Sequence, residues 1–276
     1  MQTIHDPLQA QALLSEQRRQ GRRVGFVPTM GFLHPGHASL MRLARPLCDL
    51  LVVSVYVNPL QFGPGEDLDR YPRDPEGDAA LCEEAGVDLL FMPPTLYAPG
   101  HASAVHVEGL TAGLCGASRP GHFDGVTTVV ARLFGLLQPD LAVFGEKDYQ
   151  QLAVVRRMAA DLYPAVRVVG GPLIRDADGL ALSSRNAYLS PQERQRALSL
   201  SAALRAMQAQ AGQGERRVPA LIEAGRALLE VDGLDYLEVV DPDSLAPLTR
   251  LDGPARALVA GRVGRTRLID NLQLWA

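Results

Sequence analysis

Residues 50–57 read Leu-Leu-Val-Val-Ser-Val-Tyr-Val, an almost unbroken aliphatic run. A strand with one wet face alternates apolar and polar residues, so a run of this kind predicts a strand buried on both faces. Its neighbours set the context. Val24–Pro28, Asp88–Met92, Leu141–Phe144 and Val166–Val169 are further short apolar runs. Helix-like stretches separate them at Gly36–Leu47, Ala79–Gly86, Asp124–Leu137 and Asp148–Leu162. Strand and helix in alternation predict a mostly parallel sheet with right-handed crossovers, an α/β doubly wound (Rossmann-like) domain.

The texture changes at Gly170-Gly171-Pro172, which is read as the domain boundary, giving segments 1–171 and 172–276. Beyond it, Asp178-Gly179 between Leu173–Arg175 and Leu180–Leu182 signals a hairpin. Helical stretches at Pro191–Gln210 and Val218–Leu229 follow, then strand-like runs at Tyr236–Val240, Ala257–Ala260 and Arg267–Ile269. The second part is therefore expected to be a smaller α+β domain. The polar, helix-like stretch Met1–Arg23 lacks the apolar core of a secretory signal. No apolar run reaches the roughly 20 residues that span a bilayer. A formal net charge of −4 gives no broad attraction to nucleic acid or an anionic membrane, so a phosphate site has to be local. Cys48, Cys82 and Cys115 form no metal or disulfide pattern and read as reduced thiols of a cytoplasmic protein.

Three stretches carry chemistry. Met30–His37 (Met30, Gly31, Phe32, Leu33, His34, Pro35, Gly36, His37) runs from the end of the first strand into a helix, where open α/β sheets bind ligands. Helix starts favour phosphate, and His34 and His37 fall on one side of one turn. Without a third ligand nearby, a polyphosphate suits the pair better than a metal. Gly145-Glu146-Lys147-Asp148 follows another strand. Lys147 is the only lysine; every other one of the 27 basic residues is arginine. A compact ammonium differs most from a planar guanidinium inside a tight site. Ser183-Ser184-Arg185-Asn186 offers hydroxyls and a fork for phosphate oxygens, on a flap that could close over a nucleotide. Gln61 and Gln151 suit a substrate with hydroxyls and a carboxyl, although either alone reads more readily as a solvated surface amide. Arg119-Pro120-Gly121-His122 is a basic loop whose role stays open, as does that of Glu146.

Together these residues resemble the pantoate–β-alanine ligase (pantothenate synthetase) family across essentially the whole chain. The likeness rests on Pro28–His37, Tyr56–Phe62 (Tyr-Val-Asn-Pro-Leu-Gln-Phe), Arg119–Phe123, Phe144–Gln151 and Ser183–Asn186. The resemblance implies ATP- and Mg²⁺-dependent joining of pantoate to β-alanine through a pantoyl adenylate, in a homodimer. It further implies that Met30–His37 contact ATP, that His34 and His37 stabilise phosphate charge, and that His37 is the proton donor. Gly145 and Asp148 would hold the ribose, Lys147 the α-phosphate region, and Glu146 lies among them. Gln61 and Gln151 would bind pantoate, with Gln61 and Asn58 near β-alanine. Ile174, Leu182, Ser183, Ser184 and Arg185 would complete the ATP site. Methionine is common in the family where Leu182 stands, a swap of similar volume. Competing readings are an adenylyltransferase for a phosphorylated cofactor precursor, which would need a second cationic site, an aminoacyl-tRNA synthetase, and a nucleotide sensor that releases no pyrophosphate.

Overall fold

The aliphatic runs form the middle of a six-stranded sheet, all of whose pairings are parallel, in the order β1-β4-β3-β2-β5-β6. The computed structural model describes residues 1–275. In chain order the strands are β1 Gln2–Ile4, β2 Val24–Thr29, β3 Leu50–Val55, β4 Leu89–Phe91, β5 Leu141–Gly145 and β6 Arg167–Gly171. The helices between them are α1 Pro7–Arg19, α2 Pro35–Ala44, α3 Pro75–Glu84, α5 His122–Leu137 and α6 Tyr149–Leu162, with a short α4 at Leu114–Ser118. Both faces are covered. Val27, Leu51, Val53 and Leu90 pack with Met41 of α2 and Cys82 of α3. On the other side Phe26 meets Phe134 of α5 edge to face at 6.5 Å. Double burial explains why these strands are nearly continuous in Val and Leu.

Strand order runs outward from β2 through β3 and β4, then switches to β5 on the other side of β2. The loops after β2 and β5 therefore leave the sheet at its switch point, the place where open α/β sheets hold ligands.

Two sequence readings need correction. Met1–Arg23 is not one helical stretch: Gln2–Ile4 forms the edge strand β1, and α1 starts only at Pro7, capped by Asp6 accepting from Gln9 N at 2.8 Å. The strand read at Val166–Val169 runs on as Arg167–Gly171, so Gly170 and Gly171 lie inside β6, and the two compact units divide directly after it, between Pro172 and Leu173. Leu40 of α2 packs directly on the backbone there, since a Cβ on Gly171 would lie 2.2 Å from Leu40 Cδ2 and would displace that side chain.

The chain forms two compact units, and the second is not one continuous segment. It comprises Leu173–Ala276 together with Ala112–Ser118 and Lys147–Gln150. Its antiparallel sheet, β7 Gly233–Val240, β8 Ala255–Val263 and β9 Thr266–Trp275, is joined by α7 Pro191–Gly212 and α8 Val218–Arg226. Leu200, Leu204 and Met207 of α7 share its core with Leu221, Val239, Ala257 and Val259. The strands exceed the predicted runs, because charged residues such as Arg256, Arg262 and Asp270 interrupt the apolar pattern within them. The expected hairpin is present: Arg175 bridges Ala181, and Gly179 takes φ +97° in the turn.

Candidate active site

The first unit's part begins where β2 ends. Thr29 Oγ1 donates to Ser54 O at 2.7 Å and accepts from Gly31 N at 3.3 Å. Gly31 (φ +85°) and Phe32 (φ +52°) then turn the chain through the left-handed region. Asp78 of α3 holds this turn. It is 2% exposed, and its carboxylate accepts from Phe32 N at 3.0 Å and Leu33 N at 2.6 Å. Burial pushes the Asp78 carboxyl up from its ordinary range, against the pull of those two N–H groups. A side chain on Gly31 would have its Cβ 2.9 Å from Asp78 Oδ2 and from Val55 Cγ1, so the loop sits directly on the carboxylate.

The two histidines cap α2. His34 Nδ1 accepts from Gly36 N at 3.2 Å, and His37 Nδ1 accepts from His34 N at 3.3 Å. The imidazoles thus fill the reciprocal roles that Ser and Glu play in a common capping box. Each Nδ1 uses its lone pair, so each neutral ring carries its proton on Nε2. The ring centroids are 4.1 Å apart. His37 N and Ala38 N both reach His34 O. Consequently every backbone N–H from Gly31 to Ala38 has an acceptor within the protein, Pro35 having none to offer. Bare amides were expected to face a phosphate here; the backbone N–H groups of this turn are instead taken up within the loop itself and by Asp78.

Gln61 sits one strand over, in the single turn Pro59–Gln61 after β3. Its Nε2 lies 3.0 Å from Met30 Sδ, and its Oε1 accepts from Asn58 Nδ2 at 3.1 Å. Asn58 also donates to Gly125 O at 3.0 Å and accepts from Tyr97 OH at 2.8 Å. Met30, Asn58 and Gln61 are therefore brought together. Gly125 of α5 has no room for a Cβ against Leu60 O and Gln61 N, which places the helix backbone against this turn. Gln151 is half-buried in the first turn of α6, after β5. Gly145 ends β5, and Glu146 opens the short 3₁₀ turn that carries Lys147 and Asp148.

The basic loop left open by the sequence now has a task. His122 Nδ1 lies 2.9 Å from Gln61 O, and Arg119 Nη2 donates to the same carbonyl at 3.2 Å. Since a carbonyl only accepts, His122 carries its proton on Nδ1, and its Nε2 receives Arg119 Nη1 at 3.0 Å. Arg119 is in turn gripped by Glu66 at 2.7 and 2.6 Å. Burial opposes ionisation of Glu66, but the Arg119 fork and the Gly63 N–H outweigh it and hold the carboxyl down at about 2, against an ordinary 4.5. A lowered carboxylate pKa adds stability that is complete above 4.5 and disappears as pH falls through about 2. Glu66→Gln is expected to cost about 1.5–3 kcal/mol at neutral pH. Urea unfolding at a series of pH values should show that difference shrinking between pH 4.5 and 2; a gap that held constant would mean the ion pair adds nothing.

In the second unit, Lys147 lies on the Glu146–Asp148 turn with its side chain 19% exposed and Nζ 3.9 Å from Asp148 Oδ2, too far for a hydrogen bond. Its main-chain carbonyl accepts from Asn271 Nδ2 at 2.9 Å. Ile174 O accepts from Leu182 N at 3.0 Å across the hairpin. Ser183 Oγ accepts from Arg185 N at 3.3 Å and so starts the turn Ser184–Tyr188. The hairpin and its serine-rich exit are thus one folded segment.

A family model described as pantoate-beta-alanine ligase matches residues 2–273. The chain belongs to the pantoate–β-alanine ligase family. As a member it is similar to the pantothenate synthetase of Syntrophotalea carbinolica, 53% identical over 98% of both chains, and to that of Heliobacterium modesticaldum, 53% over 99% of both. Among solved structures, pantothenate synthetase from Thermus thermophilus superposes with a TM-score of 0.94 at 54% identity, covering 100% of each chain. A pantoate-beta-alanine ligase from Francisella tularensis, complexed with beta-gamma ATP and beta-alanine, superposes with a TM-score of 0.82 at 30% identity, covering 99% of this chain and 98% of that one. This chain is accordingly a ligase with the family's α/β fold. Among the described residues, no helix is long and apolar enough to cross a membrane.

Sequence reasoning missed Asp78, Glu66 and Asn271. An acid in a helix's first turn is ordinary on dipole grounds alone, so nothing marked Asp78.

Proposed function

We propose that this ligase forms pantothenate from pantoate and β-alanine with consumption of ATP. A pantoate carboxylate oxygen attacks the α-phosphorus, the bond to the bridging oxygen breaks, and pyrophosphate leaves. The amine of β-alanine then attacks the acyl carbon of pantoyl adenylate, AMP departs, and the nitrogen loses a proton. The observation that carries this reading is the contact of Gln61 Nε2 with Met30 Sδ, since it sets the amide suited to a hydroxy acid against the histidine loop suited to ATP. Attack of an anion on a polyanion needs donors aimed at the developing charge. The Nε2–H groups of His34 and His37 and the Lys147 ammonium are those donors in this proposal, with His37 as proton donor. Gly145 and Asp148 hold the ribose, with Glu146 between them in the same ATP site, and Ile174 with Leu182–Arg185 completes that site. Gln61, Gln151 and Asn58 hold the acid and the amine.

No three His, Cys, Asp or Glu among the described residues form a metal cage. In this proposal Mg²⁺ arrives on the phosphates of ATP, where it would supply charge neutralisation, as this ion commonly does. The assignment of residues 1–171 to nucleotide and pantoate and of 172–276 to closure over ATP belongs to the same proposal. So do the homodimer that the family resemblance implies and the cytoplasmic location read from the three unpatterned cysteines.

The test is pyrophosphate release from ATP, Mg²⁺ and D-pantoate, with and without β-alanine. Pantoate-dependent pyrophosphate and AMP, with sustained turnover only when β-alanine is present, is the expected result. Release that ignores pantoate would move the substrate to another acid.

A further inference from the structure

Asp270 and Asn271 are consecutive on β9, 4% and 3% exposed, and none of the chemistry above uses them. A carboxylate and an amide are costly to bury without partners. Here each takes its partner from a different segment of the second unit. Asn271 Nδ2 donates to the carbonyl of Lys147 at 2.9 Å, while its Oδ1 accepts from Arg256 Nη1 at 2.6 Å. Arg256 fixes the amide's orientation, because a flipped amide would set donor against donor. The same guanidinium lies 3.9 Å over the ring of Tyr149, so the strap Lys147–Tyr149 is held at both ends. Asp270 grips Arg175 through two bonds of 2.7 and 2.9 Å, and Arg175 also donates to Gly179 O at 3.1 Å. Arg175 belongs to the hairpin that presents Ile174 and Leu182 and leads into Ser183–Arg185. Asp270 Oδ1 further accepts from Asn271 N at 2.7 Å, tying the two anchors to each other.

We infer that Asp270 and Asn271 are positioning residues that register the Lys147 strap against the Ile174–Arg185 hairpin. The ammonium and the Ser183–Arg185 donors then meet the triphosphate as one preorganised set. This rests on the reading of those two segments as ATP contacts. Misplacing a catalytic group by about 1 Å can cost on the order of 10²-fold, so loss of the Asn271 anchor on the Lys147 strap should appear in kcat rather than in binding, whereas loss of the Asp270 anchor on the hairpin should appear in the KM for ATP.

The experiment is a double-mutant cycle. Asn271→Ala and Asn271→Asp are each made with Lys147 intact and with Lys147→Ala, and single-turnover pyrophosphate formation, ATP-analogue titration and Tm are measured. With Lys147 present, both Asn271 variants are expected to slow the chemical step about 10–100-fold while analogue affinity moves only a few fold. In the Lys147→Ala background the further loss should be under about 3-fold, because no ammonium remains to be misplaced. Asn271→Asp keeps the acceptor for Arg256 and guards against loss of fold in the alanine variant. Asp270→Asn, which turns one Arg175 acceptor into a donor, should raise KM for ATP and leave KM for β-alanine unchanged. Full multiplicative loss in the Lys147→Ala background, or unaltered kinetics with Asn271→Ala or Asp270→Asn, overturns the inference. Wild-type turnover in Lys147→Ala alone would overturn the ATP reading as well, and that single variant identifies which of the two has failed.

Discussion

Replacing Lys147 with alanine is expected to slow pantoate-dependent pyrophosphate release about 10²–10³-fold, the usual loss when one preorganised donor to a developing charge is removed. The structure strengthens the case beyond the residue's being the only lysine. Its side chain is mostly buried and its ammonium holds Asp148 only at 3.9 Å, so the charge is not spent in a tight pair. Its carbonyl is fixed by Asn271, which leaves the side chain as the variable part of a rigid turn. If the ammonium acts in the transition state, kcat and kcat/KM for ATP should fall together; a rise in KM alone would mean uniform binding. Lys147→Arg should also be poor, since a planar fork cannot occupy a point-charge site on the same fixed turn. Arginine turnover close to wild type would refute the requirement for a compact cation.

Parts of this site were legible because their signals are local. The loop after β2, the turn after β5 and the Asp178-Gly179 hairpin are each short, contiguous stretches marked by Gly, Pro and the end of an aliphatic run. β3 needed nothing more than its own composition. The parts that were not legible depend on partners far apart in sequence. β1 is three residues long and becomes a strand only by pairing with Leu89–Phe91. Gly170-Gly171 looked like a break because the sequence does not show Leu40 pressing on the backbone. Arg119 and His122 stood out as a basic pair, but their target is the main-chain carbonyl of Gln61, which carries no residue-type signal. Asn271 acts on another main-chain carbonyl, that of Lys147. Side chains proposed to meet ligand stand out by residue type and local motif. Side chains that hold backbone in place are ordinary polar residues until the fold shows their distance.

Asp78 is the sharpest instance, and its removal should be among the most damaging changes in the first unit. Asp78→Ala removes the acceptor of two half-buried N–H groups, those of Phe32 and Leu33, each worth at most about 1–3 kcal/mol when left unpaired. Asp78→Asn is the more informative variant because it keeps the shape. An amide offers one oxygen where the carboxylate offers two, so one N–H keeps its bond and the other faces a donor. It should therefore lose about half as much stability as the alanine variant. Activity should fall further than stability does. The loop that Asp78 holds ends in His34 and His37, whose proton-bearing nitrogens are set by hydrogen bonds within that same loop. The expected loss in adenylation is about 10²-fold for Asp78→Asn, with the fold intact by Tm. Acid titration supplies an independent check. Burial raises the Asp78 carboxyl, so its ionisation costs stability that is recovered below the ordinary range and lost as pH rises through the folded value. The asparagine variant has no such proton, and its stability should lack that fall. Wild-type adenylation in Asp78→Asn would show that the loop is held by Thr29 and the histidine caps alone, and that the buried carboxylate serves packing rather than the site.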